Sequence, residues 1–319
     1  YGGQLQDQAN PGVPVEALSR VEWIEVQGQF GDGEPYTLIR PAFSFEELGY
    51  GPLPEEAVFS PRIAPHMVGL GLLEAIPESR LIELADPDDL DSNGISGRIQ
   101  RRGEHDLIGR FGWKAEATSV LEQVADAFSN DMGLTSSELL QDDCTDAQVE
   151  CVESTDGGAP EVTDEILERV VLYSRAIAVP ARRAADSSDV LRGKTIFHEL
   201  GCASCHVPSH TTGAAAIPEF ENQLIWPYTD LLLHDMGEGL ADGRPLGLAS
   251  GREWKTPPLW GLGLVDEVGG HSRFLHDGRA RNLEEAVLWH GGEAQEAKEA
   301  YEDLPEAHRI LLLKFLEDL

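Results

Sequence analysis

"RGKTIFHELGCASCHVP", residues 192–208, places two cysteines three residues apart and a histidine directly after them. A redox dithiol, half of a zinc site and a c-type haem attachment point all use cysteines at this spacing. A thioredoxin-like dithiol follows a buried strand in a βαβ unit, whereas "SSDVLRGKTIFHEL" (187–200) leads into Cys202 with the apolar spacing of an amphipathic helix. Structural zinc needs a second ligand pair at close spacing, and the other two cysteines, Cys144 and Cys151, stand too far apart for a zinc knuckle. Haem attachment accounts for every residue of C-x-x-C-H. Two thiols reach two vinyl groups on one edge of the porphyrin, and the next residue reaches back to the iron. Cys202 and Cys205 are therefore expected to form thioethers to one covalent haem c, with His206 as proximal ligand. His234, Met236, His271, His276 and His290 are candidates for the opposite face, and spacing leaves all five open. A methionine there would raise the reduction potential, and a second histidine would lower it.

The surroundings of this motif are acidic. The 319 residues carry 57 acids against 24 bases, a formal net charge of −33. Such a surface repels nucleic acid and anionic membranes, and it suits a cationic partner protein or a salty environment. No apolar run is long enough for a transmembrane segment. The chain opens "YGGQLQDQANPGVPVEA" with no basic-then-apolar signal, so an upstream portion is expected to have been removed. Cys144 and Cys151 lie in the polar loop "DDCTDAQVEC" (142–151) at a separation that suits a local disulfide. A disulfide and covalent haem both imply an oxidising, exported setting, so the expected location is the periplasm or the cell exterior.

Residues 21–44 alternate apolar and polar around Gly31-Asp32-Gly33 and read as a β-hairpin. Short helices broken by Pro65 and Pro77 follow. Helical spacing returns over 116–129, over 164–179 behind Thr163 as N-cap, and in the closing segments "NLEEAVLWH" (282–290) and "LPEAHRILLLKFLEDL" (304–319). Residues 207–280 are rich in Gly and Pro, with few helical signals. The expected fold is mainly α with long loops, divided near residue 185.

"TPPLWGLGLVDEVGGHSRFLHDGRARNLEEAVLWHGGEA" (256–294) resembles the C-terminal haem domain of the bacterial di-haem cytochrome c peroxidase superfamily, which includes the methylamine-utilisation di-haem enzymes. The helix running into C-A-S-C-H likewise resembles the first helix of a class I cytochrome c. The resemblance implies that 185–319 is a cytochrome c-like haem domain. It also implies that the distal iron ligand falls on His290, with Met236 as the alternative, and that His276 is structural. "RFGWKAEATSVLEQVADAFSNDMG" (110–133) resembles the superfamily's N-terminal peroxidatic stretch, with "WKAEA" where that stretch has W-D-G-R-A. It implies that 1–184 is an α-rich, partly β remnant of the peroxidatic domain. Trp113 would then be the tryptophan between two haems, Gln123 a pocket residue and Asp131 the catalytic acid.

"YGGQLQDQA", "GLGLLEAIP", "DPDDLDSNGISG", "PYTDLLLHDMG" and "LADGRP" extend the similarity along the whole chain to a family of di-haem "thiol oxidoreductase" or peroxidase-like proteins. That resemblance implies a further C-x-x-C-H upstream of residue 1. The chain would then be the C-terminal portion of a two-haem oxidoreductase, holding the haem that receives electrons from a small carrier protein. The alternative is a single-haem electron-transfer cytochrome without catalytic activity. Within "DPDDLDSNGISGRIQ", Asp89, Asp91 and Asn93 alternate before Gly94 like the first half of an EF-hand calcium loop, with Gln100 where the bidentate Glu would stand. The superfamily's inter-domain calcium would implicate Thr256 and Pro258.

Overall fold

Residues 18–46 form one long antiparallel hairpin, Leu18–Gln29 against Pro35–Glu46, in continuous register from Leu18 opposite Glu46 to Gln29 opposite Pro35. Its loop closes through Phe30 N–H to the Glu34 carbonyl at 2.9 Å, with Gly33 at φ +91°, a conformation other residues rarely adopt. The computed structural model describes residues 1–155 and 157–319.

Helices and small sheets share the fold, which is more mixed than the mainly helical expectation. The Gly- and Pro-rich stretch contains short ladders, His210–Thr211 with Leu224–Ile225 and Leu233–Asp235 with Glu253–Lys255. Two or three residues per strand leave no alternation to read in a sequence. The longer helices lie near their expected positions. Asp164–Ala176 starts at Thr163, whose side chain accepts the Ile166 N–H. Val120–Asp126 starts at Ser119 in the same way, and widens into a π-helical turn over Ala127–Asp131. Among the described residues, no helix is long and apolar enough to cross a membrane.

Two cores organise the chain. One gathers Leu70, Leu73, Phe111, Val120 and Val171, joined by Leu231 and Trp260 from the C-terminal part. The other gathers Val190, Phe197, Tyr228, Leu312 and Phe315, joined by Phe30 and Leu38 of the hairpin. The hairpin therefore packs against the C-terminal region: Tyr36 Oη donates to Glu302, Arg309 pairs with Glu34 at 3.0 Å, and the Arg309 guanidinium lies 3.8 Å from the Phe30 ring centre. In the second core, helix Ser188–Glu199 crosses helix Glu306–Asp318 at Gly193. A Cβ at that position would stand 2.0 Å from the Leu311 carbonyl oxygen, so glycine is what permits the approach.

A buried polar network joins the two regions. The Lys114 ammonium donates to Asp242 and to the carbonyls of Arg244 and Ser250 at 2.7–2.8 Å, and lies 4.5 Å from the Trp254 ring centre. Arg62 bridges Asp242 and Glu116. Cys144 and Cys151 form the expected disulfide, with Cα atoms 6.0 Å apart. The preceding Asp143 accepts the backbone N–H groups of Gly3 and Gln4.

Candidate functional site

Helix Ser188–Glu199 stops at Gly201, whose φ of +81° turns the chain into a 3-10 turn over Cys202–Ser204. The His206 N–H donates to the Cys202 carbonyl at 3.0 Å, so both cysteines and the histidine occupy one compact loop. Cys202 and Cys205 are free thiols. Burial pushes the Cys202 thiol up to about 12, and burial likewise raises Cys205. A redox dithiol needs an accessible, low-pKa thiolate, and this environment opposes one.

His206 and His290 line the same cavity, a space of about 520 Å³ with mainly apolar walls that include Phe197, Leu200, Val287 and Leu316. Burial first, then the neighbouring His290, pushes His206 down to about 4; burial also lowers His290. Both rings are therefore neutral near pH 7. His206 Nδ1 donates to the Tyr228 carbonyl at 3.0 Å, and His290 Nδ1 to the Ala286 carbonyl at 2.7 Å. With each proton held at Nδ1, each Nε2 is left a bare lone pair. Neither Nε2 has a hydrogen-bond partner among the described residues.

The other sixth-ligand candidates separate on geometry. His234 has a carboxylate on each ring nitrogen: Asp230 at 2.9 Å from Nε2 and Glu293 at 2.7 Å from Nδ1. Burial alone would depress its pKa, but hydrogen bonds with Asp230, Cys205 and Glu293 override that and hold it well above the ordinary value. An imidazolium has no lone pair to offer a metal. His276 borders the cavity but stacks on Trp254 at 3.7 Å, and burial pushes it down to about 4. His271 is exposed and accepts the Arg273 N–H. Met236 borders the same cavity as His206 and His290.

Trp113 and Gln123 also border this cavity, from the N-terminal region, and Trp113 Nε1 donates to the Ile63 carbonyl at 2.7 Å. Asp131 lies elsewhere: it is exposed and accepts a hydrogen bond from Gln4 at 2.9 Å. In the acidic loop, Asp86, Asp89 and Asp91 bring carboxylate oxygens within 4.8 Å of one another, and the Asn93 side-chain amide donates to Asp91 at 3.0 Å. Asn93 Oδ1 also accepts the Ile95 N–H, and Gln100 is buried, donating to the Lys114 and Leu246 carbonyls. The Thr256 carbonyl accepts the Thr229 hydroxyl at 2.6 Å.

A family model described as "Di-haem oxidoreductase, putative peroxidase" matches residues 33–319. The chain belongs to this di-haem oxidoreductase family. Comparison with curated proteins and with solved structures finds no match. Membership implies a haem cofactor, and the cavity has the chemistry to hold one. It offers two thiols, two neutral imidazoles with free Nε2 atoms, and apolar walls for the macrocycle. In this family member the Asp230–His234–Glu293 cluster beside Cys205 escaped sequence reasoning. Asp230 and His234 stand four residues apart, but Glu293 comes from a distant turn, and no local pattern announces it. Lys255 was missed for the same reason: it sits on a three-residue strand inside the stretch that reads as loop.

Proposed function

We propose that this chain binds one haem c in the cavity and passes electrons to and from it as part of a di-haem oxidoreductase. The observation that carries the reading is the pair His206 and His290: two neutral imidazoles on one cavity, each with Nδ1 fixed by a backbone carbonyl and Nε2 free. Cys202 and Cys205 would anchor the haem covalently, and His206 and His290 would hold the iron, with Met236 as the alternative second ligand. A bound haem supplies one-electron chemistry; the protein's part is to bind it, orient both imidazoles and exclude water. His234, with Asp230 and Glu293 on its two ring nitrogens, would have no nitrogen left to hold the iron. Residues 185–319 form the cytochrome c-like haem domain in this reading, and the Gly193 helix crossing supports it. Trp113 and Gln123 belong to the peroxidatic side, and the electron donor is a small cationic carrier protein that complements the charge of −33. Covalent attachment places the protein in the periplasm or outside the cell.

The test is the visible spectrum and intact mass of the exported protein. A reduced c-type α-band and the mass of one haem are expected, and Cys202→Ser with Cys205→Ser should abolish both. Absence of the band in the wild-type protein refutes the reading. His290→Ala should turn the ferric spectrum high-spin; a spectrum that stays low-spin transfers the ligand role to Met236.

A further inference from the structure

Lys255 is 7 % exposed, closes the strand Glu253–Lys255 and borders the same cavity as His206 and His290. Its backbone is held on two sides, by its own N–H to the Trp113 carbonyl at 2.9 Å and by pairing with Leu233. Its Nζ has no hydrogen-bond or ion-pair partner among the described residues. The contrast with Lys114 is informative. That lysine is fully buried, and its ammonium has three oxygen acceptors and an aromatic face. A buried ammonium without such partners is costly, so the fold satisfies one lysine and leaves the other facing a cavity.

Nearby groups do not fill the gap. Glu116 and Asp230 influence Lys255 but are committed elsewhere: Glu116 to Arg62 and the Lys114 N–H, Asp230 to His234 and the Leu232 N–H. The other cations on the cavity wall are also engaged. Arg110 donates to the Leu73 and Ile76 carbonyls, Arg273 lies over Trp23, and Lys298 pairs with Glu302. Burial pushes Lys255 down to about 8, against the pull of Glu116 and Asp230, so it still carries its charge at pH 7. One unpaired compact cation in a largely apolar cavity of a strongly acidic chain suits a carboxylate carried on an apolar body, not a polyphosphate.

We propose that Lys255 is the cavity's carboxylate-recognition residue, its ammonium pairing with a carboxylate of the molecule that fills the cavity. Two sources present that chemistry, a propionate arm of the haem and a free organic acid; the first rests on the haem reading above.

The experiment uses the exported full-length protein and its Lys255→Met and Lys255→Arg variants. Haem content, the propionate bending bands in the resonance Raman spectrum and the midpoint potential are recorded, and acetate and benzoate are titrated calorimetrically. If the carboxylate is the haem's, K255M loads haem but shifts those bands and lowers the potential, K255R restores both, and added acids do not bind. If the carboxylate is free, benzoate or acetate binds the wild-type protein and binds K255M at least tenfold more weakly, with the Raman bands unchanged. Unchanged bands and potential in K255M, together with no binding of either acid to the wild type, overturn the proposal. A chain that takes up no haem refutes the haem reading alone. Calorimetry on that haem-free chain then still decides for Lys255 if binding is lost in K255M, and against it if the wild type does not bind.

Discussion

Gly193→Ala sets two effects of opposite sign against each other. Within a helix, alanine is favoured over glycine by about 1 kcal/mol, so propensity alone predicts a more stable protein. The structure predicts the reverse. The new Cβ would lie 2.0 Å from the Leu311 carbonyl oxygen and 2.8 Å from both the Leu311 carbonyl carbon and Phe315 Cβ, whereas ordinary contact begins at 3.4 Å. The first obstacle is backbone and cannot rotate away, so the two helices must part by more than 1 Å. A gap of 0.5–1 Å already forfeits roughly a quarter to a half of each contact's attraction. Overpacking of this kind costs about 1–3 kcal/mol, and a backbone obstacle places it near the upper end. The net expectation is a loss of about 2 kcal/mol, or roughly 3 °C in Tm for a chain of 319 residues. Urea denaturation at constant slope measures it directly. Phe197, Leu312 and Leu316 lie on these helices and border the cavity, so haem retention should weaken with it. A G193A protein as stable as the wild type, or more so, would refute the claim that this crossing depends on glycine.

Lys114→Met removes the ammonium from three buried acceptors and should lower stability by about 3 kcal/mol, read as a fall in Tm. Replacing Cys144 and Cys151 by serine opens a short loop, for which chain entropy predicts a loss of about 2.5 kcal/mol; reductant should bring the wild type to the same Tm and leave the double variant unmoved. His276 is neutral when folded, with its pKa lowered from 6.5 to about 4 by burial, so its share of stability is fully present above pH 6.5 and is lost as pH falls through about 4. His276→Phe, which can keep the stack on Trp254, should therefore show a smaller drop in urea midpoint between pH 7 and pH 5 than the wild type; an equal drop would assign the acid sensitivity to other groups.

What was legible in the sequence follows the range of each interaction. Thr163 caps the helix it precedes, the hairpin forms around Gly33, and the eight residues from Cys144 to Cys151 close on themselves; all three depend on neighbours along the chain. The family was legible too, because its motifs are local blocks. The juxtaposition of His206 with His290 is not local: resemblance suggested it, and spacing alone left five candidates. His234 shows why spacing failed. Its charge is held by Asp230, four residues away, together with Cys205 and Glu293, and the last of these stands 59 positions away where no local pattern announces it. The two- and three-residue ladders between His210 and Lys255 are held by contacts with the remainder of the protein, so that segment reads as loop. The placement of the hairpin was illegible for the same reason: Glu34 and Arg309 meet across most of the chain.

That last contact has a consequence for synthesis. The hairpin is made about 260 residues ahead of Glu302 and Arg309, which receive Tyr36, Glu34 and Phe30. At ordinary elongation rates the completed hairpin waits roughly 15–50 s for the helices that cover its inner face. A long two-stranded ribbon has little stability alone, so during that interval it is a segment for a chaperone to shield. This part of the nascent chain cannot mature in order of synthesis: the second core closes only when helix Glu306–Asp318 arrives, and the two strands made long before are then drawn in with it.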